Sequence, residues 1–264
     1  MQPKILVLDI ETAPMLVYVF ELKDQNISLG QIHRDWHVMA WSAKWFGKPR
    51  NSLVYRDIRN AKKYGDDKAI LKELWSLLDE ADFVITQNGK NFDAPRLNAR
   101  FITHGMKPPS PYKHLDTYQI IKRTAKFTSS KLEYVTDKLC TRYKKLSHKR
   151  FPGFSLWKEC LAGNKRAWDE MKIYNIHDVL STEELYTKIQ AWDNSRVNFN
   201  VYSPDTSYRC NCGSTDIQFR GFFYTDTKKF RRFMCKTCGK WSVGKKNLLP
   251  KEKQRILLEG PVTK

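Results

Sequence analysis

Residues 4–12 read KILVLDIET, and the reading of this run decides the fold. An apolar, β-rich segment bounded by Pro3 and by Thr12, Ala13 and Pro14 has the pattern of a central strand over residues 4–10. Strand side chains alternate between faces, so Asp9 and Glu11 project together from the strand's end. Two adjacent carboxylates repel each other and lose hydration, which costs several kcal/mol per buried ion unless a cation compensates. A hard divalent metal with oxygen ligands is a natural compensation, whereas an isolated D-x-E more simply ends a strand in a solvated acidic turn.

Two further segments bear on that choice. FVITQN is a short apolar run that ends in Gln87, Asn88 and Gly89, and Asp93 follows, two residues before Pro95, at the start of a helix expected near 94–104. Asp followed by Pro inside a first turn is ordinary helix-start chemistry, so Asp93 on its own reads as a cap. Between Lys165 and Trp192 there is neither Pro nor Gly, and apolar residues recur at helical spacing: Trp168, Met171, Tyr174 or Ile173, Val179, Leu180, Leu185, Tyr186 and Ile189. In that helix Tyr174 and Asp178 stand at i and i+4 on one face. Such a pair serves equally as a structural hydrogen bond or as a metal ligand beside a phenol that orients water.

The ordered set D-x-E, N-x(4)-D and Y-x(3)-D, in strand, loop–helix and helix settings, resembles the DEDDy branch of the 3′-to-5′ exonucleases of the RNase H-like superfamily. The resemblance covers residues 4 to 190, and His114-Leu-Asp116-Thr117 followed by SSKLEYVTDKL agrees with it. It implies an α/β fold with a mixed sheet flanked by helices. It also implies that Asp9, Glu11 and Asp178 hold one Mg²⁺ or Mn²⁺, that Asp9 bridges to a second, and that Asp93 supports the second directly or through water. Tyr174 matches the residue that positions the attacking water. In the histidine branch the base stands five residues before the last Asp; here that residue is Ile173, so His177 is expected to be a bystander. Phosphodiester hydrolysis by two ions held about 3.5 to 4 Å apart requires such carboxylates. A phenol with a pKa near 10 is a weak general base but a good hydrogen-bond partner for the nucleophile. Thr12 and Asn88, beside the acids, are expected to contact the nucleic acid.

Composition also points at a polyanion. Lys and Arg number 47 against 28 Asp and Glu, a formal charge of +19. Basic residues are dense from Lys122 to Arg150 and from Lys228 to Lys264, interleaved with Phe127, Tyr134, Tyr143, Phe151, Phe230, Phe233 and Trp241. That mixture suits single-stranded nucleic acid, with DNA favoured over RNA, although a solvated basic surface over an aromatic core has the same composition. The alternative from another class is a non-catalytic nucleic-acid-binding or adaptor protein that retains the nuclease fold.

Beyond a polar, turn-rich segment, Cys210-Asn-Cys212-Gly213 and Cys235-Lys-Thr-Cys238-Gly239 flank the strand-like runs IQFRGFFYT and KKFRRFM. Two Cys-bearing knuckles, each followed by Gly, read as a zinc ribbon with one structural Zn²⁺, despite a single residue between the first two cysteines. A disulfide pair and a redox C-x-x-C are the alternatives; no signal peptide is evident and no βαβ pattern flanks the motif. The hairpin cations Lys228, Lys229, Arg231 and Arg232 would face nucleic acid, and Cys140 and Cys160 read as buried free thiols. The expected organisation is a nuclease domain over 1–195, a linker over 196–207, the ribbon over 208–244 and a basic, flexible tail over 245–264. Strands are expected near 4–10, 37–46, 52–56 and 83–86, with a hairpin through Gly47, Lys48 and Pro49. Helices are expected near 67–80, 94–104, 117–124, 130–140 and 165–191. No apolar run is long enough to span a membrane, and a cytoplasmic protein of bacterial or phage origin is the expectation.

Overall fold

The computed structural model describes residues 2–146, 148, 150–195 and 197–260. Arg196, at the head of the expected linker, and residues 261–264, at the end of the expected tail, lie outside the described residues. The chain folds as two compact units, Lys4–Lys188 and Ile189–Lys264, the latter together with Met1–Pro3.

The KILVLDIET run forms β1 (Ile5–Thr12), the middle strand of a five-stranded sheet. A two-stranded hairpin of β2 (Leu16–Val17) and β3 (Ile32–Arg34) follows it. The sheet continues with β4 (Val38–Trp45) and β5 (Val54–Asp57), which extend it antiparallel on one side. Helix α1 (Lys68–Glu80) leads to β6 (Phe83–Thr86), and α2 (Asp93–Thr103) leads to β7 (Lys113–Asp116); both strands run parallel on the other side. The order is β5-β4-β1-β6-β7, so the strand bearing Asp9 and Glu11 has neighbours on both edges.

Alternation along β1 decides what each face meets. Leu6, Leu8 and Ile10 are buried in one core with Val84, with Leu71, Leu74 and Leu78 of α1, and with Leu97 and Phe101 of α2. A second core gathers Met39 and Ala40 of β4 with α5 (Ser155–Leu161) and α6 (Lys165–Ile189) through Leu156, Cys160, Ala167, Trp168 and Met171. Ala40 pairs with Glu11 across the sheet, so Asp9 and Glu11 point toward this second layer. The remaining helices are α3 (Thr117–Thr124) and α4 (Leu132–Leu139). This is the expected mixed α/β sheet flanked by helices. The expected hairpin joins β4 to β5, with Gly47 at φ +75, but a 3-10 turn at Arg50–Ser52 lengthens the connection.

In the C-terminal unit, β8 (Ile217–Tyr224), β9 (Lys229–Cys235) and β10 (Trp241–Val243) form an antiparallel sheet in the order β10-β9-β8. The segment expected as a linker carries a 3-10 turn at Phe199–Tyr202, and the Asn200 amide donates to the carbonyls of Arg209 and Cys210. The end of the expected ribbon and the start of the expected tail lie against β9: Gly244 N–H donates to Arg231 O and Leu248 N–H to Lys229 O. Helix α7 (Lys251–Ile256) follows. Among the described residues no helix is long and apolar enough to cross a membrane.

Candidate active site and zinc site

Helix α6 crosses the Asp9–Glu11 face of the sheet and brings Asp178 to it. Carboxylate oxygens of Asp9, Glu11 and Asp178 lie within 4.8 Å of one another. Tyr174, one turn earlier, is 8% exposed, while Ile173 is 59% exposed, so the tyrosine faces inward. The register is fixed by side chains that the motifs do not contain. Ser42, paired with Asp9 across the sheet, donates to the carbonyl of Asn175 at 2.9 Å. The Asn175 amide then donates to Asp9 Oδ2 at 2.6 Å. The Trp157 indole of α5 hydrogen-bonds Glu11. Lys145 Nζ stands 2.9 Å from Asp178 Oδ2 and 4.8 Å from the centre of the Tyr174 ring.

Burial and mutual repulsion make this cluster reluctant to ionise. Burial, reinforced by the charges of Asp178, Glu11 and Asp93, holds Asp9 well above the usual carboxylate range. Burial and then Asp178 push Glu11 up to about 8. Asp178 is also raised by burial, against the pull of Lys145. Burial opposes the charge on Lys145, but Asp178 and Tyr174 outweigh it and keep the ammonium protonated. Burial and the charge of Asp178 push Tyr174 up as well, so its phenol keeps its proton. Among the described residues, no donor reaches the buried Asp178 Oδ1. Three converging carboxylates, with one oxygen that no described residue reaches, fit a hard divalent cation.

Asp93 enters by a different route. It is the first residue of α2, whose cap position is Phe92 with no side-chain cap bond. Its Oδ1 accepts the Ile10 N–H of β1 at 3.2 Å, so it ties the helix start to the central strand and does not act as a simple cap. Burial raises it to about 7, against bonds from Ile10 and its own N–H. Asp93 lies outside the group of three whose oxygens converge. The loop before it turns through Asn88 at φ +64, and Asp116 clamps it by accepting N–H bonds from Asn88 at 2.9 Å and Lys90 at 3.0 Å. Gly89 is packed so closely that a Cβ there would meet Thr86 Oγ1 at 2.4 Å.

Thr12 lines an open groove of about 480 Å³ with Trp36, Arg96, Phe154 and Trp157. His177 packs edge-on against Tyr143, away from the hydrogen bonds of the acids, and is lowered mainly by burial. Lys145, Asn175 and Trp157 escape sequence reading. Only the adjacency of Asn175 to Tyr174 gave a signal, and it was not specific.

The four remaining ligand candidates converge in the C-terminal unit. Sulfurs of Cys210, Cys212, Cys235 and Cys238 lie within 4.8 Å of one another, with Cys210–Cys238 at 3.6 Å and Cys212–Cys235 at 3.8 Å. Tetrahedral zinc with bonds of about 2.3 Å separates its sulfurs by about 3.8 Å, so the Cys210–Cys238 and Cys212–Cys235 spacings are compatible with Zn²⁺. Gly213 and Gly239 take φ values of +91 and +80 just after the knuckles, where a side chain would strain the turn. The hydrogen bond from Cys210 pulls Cys212 down to about 5, leaving one thiolate already favoured. Cys140 and Cys160 are both buried, and burial pushes each up to about 12, as inert thiols require.

Comparison with known proteins adds three findings. Residues 43–190 match the model of the RNase H superfamily; the stretch contains Asp93, Tyr174 and Asp178, while Asp9 and Glu11 precede it. No curated protein matches the chain. Among solved structures, the family B DNA polymerase from the hyperthermophilic archaeon Pyrobaculum calidifontis is similar at 13% identity and a TM-score of 0.48, covering 72% of this chain and 26% of the polymerase. This chain therefore spans about a quarter of that protein's length. The superfamily match runs over more than half of the chain, from the end of β4 to the end of α6, and takes in the helices α2 and α6 that carry Asp93, Tyr174 and Asp178: the protein belongs to the RNase H superfamily.

Proposed function

We propose that this protein is a metal-dependent 3′-to-5′ exonuclease of the DEDDy type. Its substrate is single-stranded nucleic acid, DNA in preference to RNA. The observation that carries this reading is the convergence of Asp9, Glu11 and Asp178 within 4.8 Å beside an inward-facing Tyr174. Asp9, Glu11 and Asp178 would hold one divalent ion, and Asp9 with Asp93 the second. When bound, Mg²⁺ or Mn²⁺ lowers the pKa of the attacking water and neutralises charge on the scissile phosphate.

The chain's own residues supply position and charge. Asn175 fixes the Asp9 carboxylate, and Trp157 fixes Glu11. The Tyr174 phenol, protonated at neutral pH, orients the nucleophile by hydrogen bonding and does not remove its proton. Lys145 keeps a full positive charge against Asp178 at the edge of the site. The formal charge of +19 attracts the strand. Zn²⁺ on the four cysteines would hold the fold of the C-terminal unit, expected to comprise the ribbon over 208–244.

A 5′-labelled single strand incubated with Mg²⁺ or Mn²⁺ tests the assignment. Wild type should give a ladder of progressively shorter labelled products. Asp9→Ala and Asp178→Ala should give none, and Tyr174→Phe should slow the ladder on the order of 100-fold, as for loss of one transition-state hydrogen bond. Immediate release of the labelled mononucleotide would reverse the polarity. No shortening by wild type, or equal shortening by the aspartate variants, would leave a non-catalytic nucleic-acid-binding protein. Matched DNA and RNA strands settle the sugar.

A further inference from the structure

We propose that one face of the C-terminal sheet is a stacking platform for unpaired bases, a nucleic-acid site carried by this unit itself. The site lies on the surface of that unit and does not require the acid cluster to be active.

The platform arises from one irregularity in β8. In a regular strand Phe219, Gly221 and Phe223 would share a face. Instead the register with β9 shifts between Phe219 and Phe222, and Gly221 sits at φ +77, a bulge that its missing side chain permits. The extra residue moves Phe222 and Tyr224 onto the face of Phe219. The rings line up in a row, Phe219 to Phe222 at 5.5 Å and Phe222 to Tyr224 at 6.5 Å between centres. They are 49%, 36% and 61% exposed, so their faces are not used up inside the unit.

Cations from the neighbouring strand interleave with the row. Arg231 pairs with Phe222 and Lys229 with Tyr224 across the sheet, so both side chains share the aromatic face. Lys229 Nζ lies 4.0 Å from the centre of the Phe222 ring and 5.6 Å from that of Tyr224, and the Arg231 guanidinium lies 5.9 Å from that of Phe219. At the far end Phe233, 9% exposed and paired with Phe219 across the sheet, flanks it on the same face at 6.2 Å.

Charge selects the occupant. Residues 208–249 contain ten Lys and Arg against two Asp and no Glu, one of the two being Asp226 in the β8–β9 turn. An apolar protein partner has no use for that excess, whereas a single strand offers both complements: phosphates for the cations and ring faces for the aromatics. Duplex DNA presents phosphates but keeps its bases stacked, so the row of rings is redundant for it. The ring contacts hold Lys229 and Arg231 against the platform and so position their charges for a backbone that follows the row.

The test is fluorescence anisotropy with the zinc-loaded full chain in buffer free of Mg²⁺ and Mn²⁺. The probes are a fluorescein-labelled mixed-sequence 12-mer as single-stranded DNA, as single-stranded RNA and as duplex. Phe222→Ala combined with Tyr224→Ala should weaken single-strand binding at least tenfold and change duplex binding less than twofold. Phe222→Tyr with Tyr224→Phe should restore wild-type binding. Trp241→Ala, on the opposite face by register, should change neither by more than twofold. The charge variant Lys229→Gln with Arg231→Gln should lower the salt dependence of single-strand binding by about 1.4 in the log–log slope, from two phosphate contacts at about 0.7 each. Zinc content identifies a variant that has lost its fold, and the charge variant then decides. Equal loss for single strand and duplex on removing the rings overturns the platform. So does unchanged binding with an unchanged salt slope, which would assign the face to a protein partner.

Discussion

Glu11→Gln should make the metal-free protein more stable at neutral pH, although it removes a residue of the candidate metal site. The folded chain holds Glu11 at about 8, mainly through burial and the charge of Asp178, against an ordinary value of 4.5. Between these two values the folded state binds a proton that the unfolded state releases. Stability therefore falls as pH rises through this window, the reverse of a salt-bridged carboxylate. At 1.36 kcal/mol per pH unit, carrying the proton from 4.5 up to pH 7 costs about 3 kcal/mol. Glutamine keeps the shape and cannot ionise, so the cost disappears.

Urea unfolding in buffer free of Mg²⁺ and Mn²⁺, with zinc retained, measures the effect at pH 5, 6, 7 and 8. The gain of Glu11→Gln over wild type should be small at pH 5, grow to about 3 kcal/mol by pH 7, and level off near pH 8. Magnesium should then raise the wild-type midpoint in proportion to ln(1 + [Mg²⁺]/Kd) and raise that of the variant much less. A variant no more stable than wild type at pH 7, or a gain that does not change between pH 5 and 8, would refute the account of the site as a cluster of destabilising carboxylates.

Gly89→Ala should cost about 1–3 kcal/mol in urea unfolding, because the new methyl would meet Thr86, fully buried, at 2.4 to 2.8 Å. Cys235→Ser should release zinc, read by metal analysis, and remove amide-exchange protection from β8 to β10 while leaving that of β1 and β4 intact.

What the sequence made legible follows the reach of periodicity. KILVLDIET identified the central strand and the shared face of Asp9 and Glu11, since a period of two leaves no other choice. The 3.6-residue pattern of residues 165–192 identified α6, and the structure resolves its one ambiguity by burying Tyr174 and exposing Ile173. Two short elements escaped. Of the four residues of β7 only Leu115 is apolar, and α5 is seven residues long behind Pro152 and Gly153, too little pattern for either period. Asp93 shows the limit best: its local sequence reads as a helix cap, whereas its carboxylate bonds the backbone of a strand 83 residues earlier. No local pattern encodes a partner at that separation.

The same limit hides Lys145, whose ammonium lowers Asp9, Glu11 and Asp178 alike. A formal charge of +19 counts for little at the acids, because screening in water confines surface charge to about 8–10 Å. Buried carboxylates are relieved by charge held close to them away from bulk water. Lys145, partly buried, brings such a charge to Asp178 at 2.9 Å, yet Asp9, Glu11 and Asp178 all remain raised with Lys145 in place. One ammonium thus leaves most of the repulsion among three carboxylates standing. The residual repulsion lowers the stability of the metal-free fold, and the same repulsion favours a divalent ion over a second lysine, because only the ion supplies two charges at the point where the oxygens converge.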